Sequence, residues 1–274
     1  MTPADLFPTL APWVHNLQNV WPAYVIKPQF ATWEVLHILS LVVLGGASIL
    51  LNLRLIGVGV TNEPASEVHR NLRLWLHVGI IGVVLSGLLI GMANAERLYN
   101  SAAFTVKIIA LVAGVILTYG ASAPIARADG QVSASAKVWW LIGLAVFLFG
   151  IGMLVTSKLI NPGVFHVLTA AALIVLFATH GRMRWIYLAG LLVLIAAQWL
   201  GTHVVVKQTD FERLDPTNKA FAWVFAAWIL GFAGWGLFGA RPGAANRPLV
   251  QAVGYVTILV WVLAAAAGRW IAFA

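Results

Sequence analysis

The sequence predicts an all-α polytopic membrane bundle: eight transmembrane helices preceded by an N-terminal interfacial segment. Two observations lead there. Of the 274 residues, 61% are hydrophobic and only 9% charged, with a mean hydropathy of +0.90, where a soluble domain carries about 25% charged residues. Uncharged runs of about 20 residues recur along the chain, which is the length that crosses a bilayer core of about 30 Å. The lack of cysteine excludes disulfides, zinc thiolate sites, iron–sulfur clusters and covalently attached haem. No carboxylate pair, nucleophile or phosphate-binding loop stands out, so catalysis beyond redox transfer is not indicated.

Residues 1–31 form the expected interfacial segment. They contain Pro3, Pro8, Pro12, Pro22 and Pro28 and no basic leader, unlike a cleavable signal peptide, and Trp13 and Trp21 suit headgroup depth. Residues 32–274 hold the predicted spans, at about 32–56, 72–94, 103–121, 138–157, 163–181, 185–206, 220–239 and 248–270. Turn chemistry separates several of them, at Asn62-Glu63-Pro64, Ala128-Asp129-Gly130, Asn161-Pro162-Gly163 and Arg241-Pro242-Gly243. The formal charge of +8 sits at span ends, where it sets topology and meets lipid headgroups; it does not suggest nucleic acid. Arg54, Arg70, Arg73, Arg127, Lys137, Arg182, Arg184, Arg241 and Arg247 fall on one side, against Glu63, Glu67 and Asp129. The positive-inside rule makes that side cytoplasmic and places both termini outside.

Seven histidines occur. His15 and His69 lie outside the predicted spans; the other five fall in hydrophobic segments, where ionisable groups are costly and mark sites. On the predicted topology His37, His166 and His203 lie toward the outer face, and His77 and His180 toward the cytoplasmic face. Residues 165–180 read FHVLTAAALIVLFATH. As one α-helix, the fourteen-residue interval rises about 21 Å and turns through roughly 1400°, leaving the two imidazoles about 40° apart around the axis. Neutral imidazole is an axial ligand for haem iron. The expected arrangement is therefore two b-type haems, one per leaflet, with His166 paired to His37 and His180 to His77. His203 is surplus: it could replace His37 as a ligand, or hydrogen-bond a quinone headgroup. Arg70, Arg73, Arg182 and Arg184 inside, and Lys107, Lys158 and Lys207 outside, could neutralise haem propionates, although anchoring at the interface is the better explanation of each. The glycines, including Gly79, Gly82, Gly87 and Gly91, serve close helix packing.

The series His37, His77 and His166-x13-His180 resembles the cytochrome b subunits of membrane-bound nickel–iron hydrogenases and formate dehydrogenases. That resemblance implies two haems and electron exchange with quinone. In those subunits the paired histidines sit on the fourth span; here they fall on the fifth. A second resemblance covers LHILSLVVLGGASILLNLRLIG (36–57), SGLLIGM (86–92) and NSAAFTVKIIALVAG (100–114), which are similar to eight-span membrane proteins of the copper-resistance D type and imply copper handling. Copper prefers soft sulfur ligands, and the chain offers only Met1, Met92, Met153 and Met183. The sequence thus points to a b-type membrane cytochrome of a bacterial inner membrane. It would carry electrons between a periplasmic partner and quinone or the cytoplasmic side, as a subunit of a larger complex; a copper transporter or a haem-free structural subunit are the alternatives.

Overall fold

The computed structural model describes residues 1–156, 160–206, 209–238 and 247–271. Among the described residues the regular structure is helical throughout, and eight long helices run in order. These are α1 (Phe30–Ile56), α2 (Ala65–Ala93), α3 (Ala102–Arg127), α4 (Ala134–Thr156), α5 (Ile160–Ala178), α6 (Gly181–Val205), α7 (Phe211–Phe238) and α8 (Arg247–Trp270). Six of them, α1–α4, α6 and α8, are long and apolar enough to cross a membrane, as a multi-pass membrane protein requires.

The two remaining predicted spans, 163–181 and 220–239, are not among those six. In α5 the apolar stretch among the described residues is Phe165–Ala178. Helix α7 begins earlier than the predicted span, its first turns carrying Glu212, Arg213, Asp215 and Lys219 ahead of residue 220. One predicted boundary also moves. Asn161-Pro162-Gly163 does not separate two spans but lies in the first turn of α5, where proline is tolerated because its missing N–H has no helical partner to lose. The predicted turn at Arg241-Pro242-Gly243 lies outside the described residues, as do Lys158 and Lys207.

Close packing of α1 on α2 depends on two glycines. A Cβ at Gly79 would sit 2.6 Å from the backbone nitrogen of Leu44, and one at Gly82 would overlap the Ser40 hydroxyl. Absent side chains are what bring the two axes together. Helix α8 fills the centre, its Val253, Val260 and Leu263 wholly buried with Leu44 and Leu51 of α1 and Ala110, Ala113 and Leu117 of α3. A second cluster joins α5, α6 and α7 through Val175, Tyr187, Leu191, Phe225 and Ile229.

Several polar groups inside this bundle find partners, since an unpaired one in apolar surroundings is costly. Fully buried Asn52 donates through Nδ2 to the Ser48 carbonyl (2.7 Å) and accepts from the Ser122 hydroxyl (2.5 Å). Trp261 Nε1 donates to Thr118 Oγ1 (3.0 Å). Thr118 and Ser122 belong to Ile116–Ser122, a stretch of wider π-helical turns within α3.

The N-terminal segment folds as short helices, Pro3–Leu6, Ala11–Leu17 and Ala23–Ile26, the first closed by a reciprocal capping box between Thr2 and Asp5. It packs on the short helix Ala95–Tyr99 that follows α2. There Tyr99 donates its hydroxyl to the Phe7 carbonyl (2.5 Å), and His15 Nδ1 lies 3.6 Å from the Glu96 carboxylate. Trp13 and Trp21 are exposed, in keeping with an interfacial position.

Candidate functional site: a lysine–histidine–serine chain opening into an apolar cavity

Beneath the N-terminal segment, between α1, α2 and α3, lies a cavity of about 520 Å³. Its wall is apolar, with Val83, Leu88, Met92, Phe104, Ile108 and Leu111 among the lining residues, and Trp13, Val14 and Leu17 of the N-terminal segment also line it. Two polar side chains face it from the bundle, His37 and Lys107. The volume falls within the range of small-molecule pockets, about 300–1,000 Å³.

Each member of the polar group is placed by its own element. Helix α3 starts at a Ser101 cap whose hydroxyl accepts the Phe104 N–H (3.3 Å), which sets Lys107 on its second turn. His37 lies two turns into α1 and is buried; Ser86 lies on α2 two turns before its C-terminal end and is buried as well. Gly87 leaves room for the imidazole: a Cβ there would come within 3.2 Å of His37 Cε1. On α8, Gly268 lies beside the Lys107 stem, a Cβ there falling 3.5 Å from Lys107 Nζ.

Hydrogen-bond inventory determines the proton positions. Lys107 Nζ lies 3.1 Å from His37 Nε2. An ammonium only donates, so Nε2 accepts and the ring proton of the neutral imidazole resides on Nδ1. Nδ1 then donates to Ser86 Oγ (2.9 Å), and the Ser86 hydroxyl in turn donates to the Gly82 carbonyl one turn back. The donor chain thus runs from the cavity wall into the backbone of α2: Lys107, His37, Ser86, Gly82. Glu34, three residues before His37, is close enough for its charge to act on the ammonium. The remaining Lys107 N–H groups are the donors available to an acceptor in the cavity.

The histidines singled out from the sequence do not meet the neighbours expected of them, and His77 lies near the middle of α2 rather than at its start. His37 gives both ring nitrogens to protein partners, so in this arrangement none is left for iron, and haem ligation does not fit here. His166 sits at the same end of the bundle, its ring edge-on to Trp270 of α8 at 6.4 Å. His180 is not on the helix that carries His166. α5 ends at Ala178, and His180 has extended backbone angles (φ −126°, ψ 161°) as the residue before α6, so the one-face geometry computed for a continuous helix does not arise. The signal was present in the sequence: Gly181 follows, with φ +62°, and glycine after an apolar helical run marks a stop.

His77 is exposed, its Nδ1 bonded to the Arg73 carbonyl (2.5 Å) and its ring 5.5 Å from that of Tyr119. His203 stacks on Trp199 at 5.2 Å, with Nδ1 near the Trp199 carbonyl and the Thr202 hydroxyl; it is not among the residues lining the cavity. Among the described residues no group of three or more His, Cys, Asp or Glu is placed to hold a metal ion. Lys107 and Ser86 were the residues whose roles the sequence did not disclose. A lone lysine near a span end reads as an interfacial anchor, and nothing in the spacing announces that it meets a histidine seventy residues earlier.

Comparison with known proteins places this site in a family. Residues 25–163 match DUF6644, a family of unknown function. The match covers just over half of the chain, which belongs to that family. No curated protein and no solved structure matches the chain. The DUF6644 region spans α1 to α4 and the first residues of α5, so it contains His37, Ser86 and Lys107 together with the bundle side of their cavity. His166, His180 and His203 lie beyond it.

Proposed function

We propose that this DUF6644 protein binds a lipid-soluble molecule with a hydrogen-bond-accepting polar head, of the isoprenoid quinone class, in the cavity at Lys107 and His37. One observation carries the reading: a partly buried ammonium, oriented by an imidazole–hydroxyl chain, opens into an otherwise apolar cavity of about 520 Å³. A quinone carbonyl would accept from Lys107, and its apolar portion would lie against Val83, Leu88 and Leu111. His37 acts here as a positioning residue, holding Lys107 through Nε2.

This reading keeps the quinone expected from the sequence and moves it from His203 to the opposite wall of the bundle. It also keeps membrane redox work, in a bacterial inner membrane with both termini outside and α5 and α7 completing eight crossings, as part of the proposal. It requires no metal at His37.

The test is a titration of the purified chain in lipid nanodiscs with a short-chain benzoquinone or naphthoquinone analogue. A hydrogen bond to a charged group contributes about 1.5–3 kcal/mol, so Lys107→Met, which preserves the length of the side chain, is expected to weaken binding by roughly 10- to 150-fold. Ser86→Ala is expected to weaken it less, by releasing the imidazole. Equal affinity in wild type and Lys107→Met would refute the assignment. A Soret band with haem near two per chain in the purified protein would replace it with the di-haem cytochrome.

A further inference from the structure

The bundle carries a second cavity at the end opposite His37, and its chemistry differs. It measures about 700 Å³ and lies where the end of α1, the end of α5 and the starts of α6 and α8 meet. Arg247, His180 and Gln251 contribute its polar lining, while Phe232, Trp235 and Tyr255 provide an aromatic wall. No carboxylate is among the described lining residues. Gln251 is occupied, donating Nε2 to the Ile56 carbonyl (3.0 Å). Arg247 and His180, by contrast, make no hydrogen bond or ion pair with any described residue.

Arg247 and His180 are exposed at the edge of this cavity, and with no carboxylate among the described lining residues the guanidinium fork is open to an acceptor from outside the chain. A guanidinium matches phosphate oxygens two at a time, and an imidazole beside it can add a third donor. An aromatic wall next to that head position suits an apolar continuation. The cavity opens at the end of the bundle that also carries Arg54, Arg70, Arg73, Arg182 and Arg184, the side the charge bias assigns to the cytoplasm, where anionic headgroups concentrate.

We propose that this cavity is a binding site for a phosphate-bearing group, held by Arg247 and His180 with apolar substance against Phe232 and Trp235. The phosphate could belong to an anionic phospholipid or arrive as free phosphate; the aromatic wall favours the lipid.

The experiment is native mass spectrometry of the full chain from neutral detergent, titrated with phosphatidylglycerol, phosphatidylcholine or inorganic phosphate. Wild type is expected to retain one phosphatidylglycerol per chain in preference to phosphatidylcholine. Arg247→Gln should weaken that retention by about tenfold or more, as loss of a charge-assisted bond does, and His180→Gln less. Arg184→Gln, at the same end but outside the cavity lining, is the control for general surface charge and should leave it unchanged. Displacement of the lipid by millimolar inorganic phosphate would identify the phosphate group itself as the ligand; no displacement would identify the lipid. Equal loss in Arg247→Gln and Arg184→Gln, or equal retention of phosphatidylcholine, would overturn the proposal.

Discussion

Replacing Gly79 by alanine tests how the two helices that carry His37 and Ser86 are held together. The new Cβ would lie 2.6 Å from Leu44 N and 2.7 Å from Leu44 Cα, well inside the 3.5–4.0 Å at which carbon contacts are favourable. Both atoms are backbone, so no rotamer change relieves the overlap; α1 and α2 must separate by on the order of 1 Å. Overpacking of this kind costs about 1–3 kcal/mol, and the rigid neighbour points to the upper end. Alanine recovers about 0.5–1 kcal/mol of helix propensity over glycine, leaving a net loss of about 2 kcal/mol. Gly45 and Gly46 on α1 are the internal control, because a Cβ at either meets nothing within 4 Å; there only the propensity gain of about 0.5–1 kcal/mol remains. Thermal unfolding in one detergent, followed by circular dichroism, reads the ordering: Gly79→Ala below wild type, Gly45→Ala and Gly46→Ala at or above it. If Gly79→Ala melts with the Gly45 and Gly46 variants, the close approach of α1 to α2 is not as described and the placement of His37 against Ser86 loses its support.

Three further outcomes are expected. Asn52→Ala strips the acceptor from buried Ser122 and should destabilise the bundle by about 1–3 kcal/mol, measured by the same melt. Tyr99→Phe removes the bond to the Phe7 carbonyl and should raise hydrogen exchange and protease cleavage in residues 1–17 while leaving the main melt in place. Asp129 accepts from the Ser66 N–H (2.9 Å) and hydroxyl (3.0 Å), bonds that hold its carboxyl below the usual range. Its contribution to docking the 128–130 turn on the start of α2 is therefore complete above the unfolded value, about 3.9, and is lost as pH falls through the lower folded value. Hydrogen exchange at residues 66–68 should rise on acidification below about pH 4 and should already be raised at neutral pH in Asp129→Asn.

The sequence alone determined that the chain is built from helices apolar enough for a membrane, and near which end of its helix most residues fall. Apolar run length reports the membrane directly, and because a helix advances a constant distance per residue, position within a run converts to depth. His37 accordingly lies at the same end as Lys107, and His180 at the other end with Arg247. Glycine at 181 carried information about a helix end that simple counting passed over. Lateral neighbours were a different matter, since the angle at which a helix faces its bundle depends on which side chains are missing along its flank. Only the tertiary structure showed that Gly79, Gly82 and Gly87 draw α2 onto α1, that His37 there meets a serine and a lysine from two other helices, and that the His166 ring lies edge-on to Trp270. Depth is a property of one helix; partnership is a property of several, decided by packing between segments far apart in the chain.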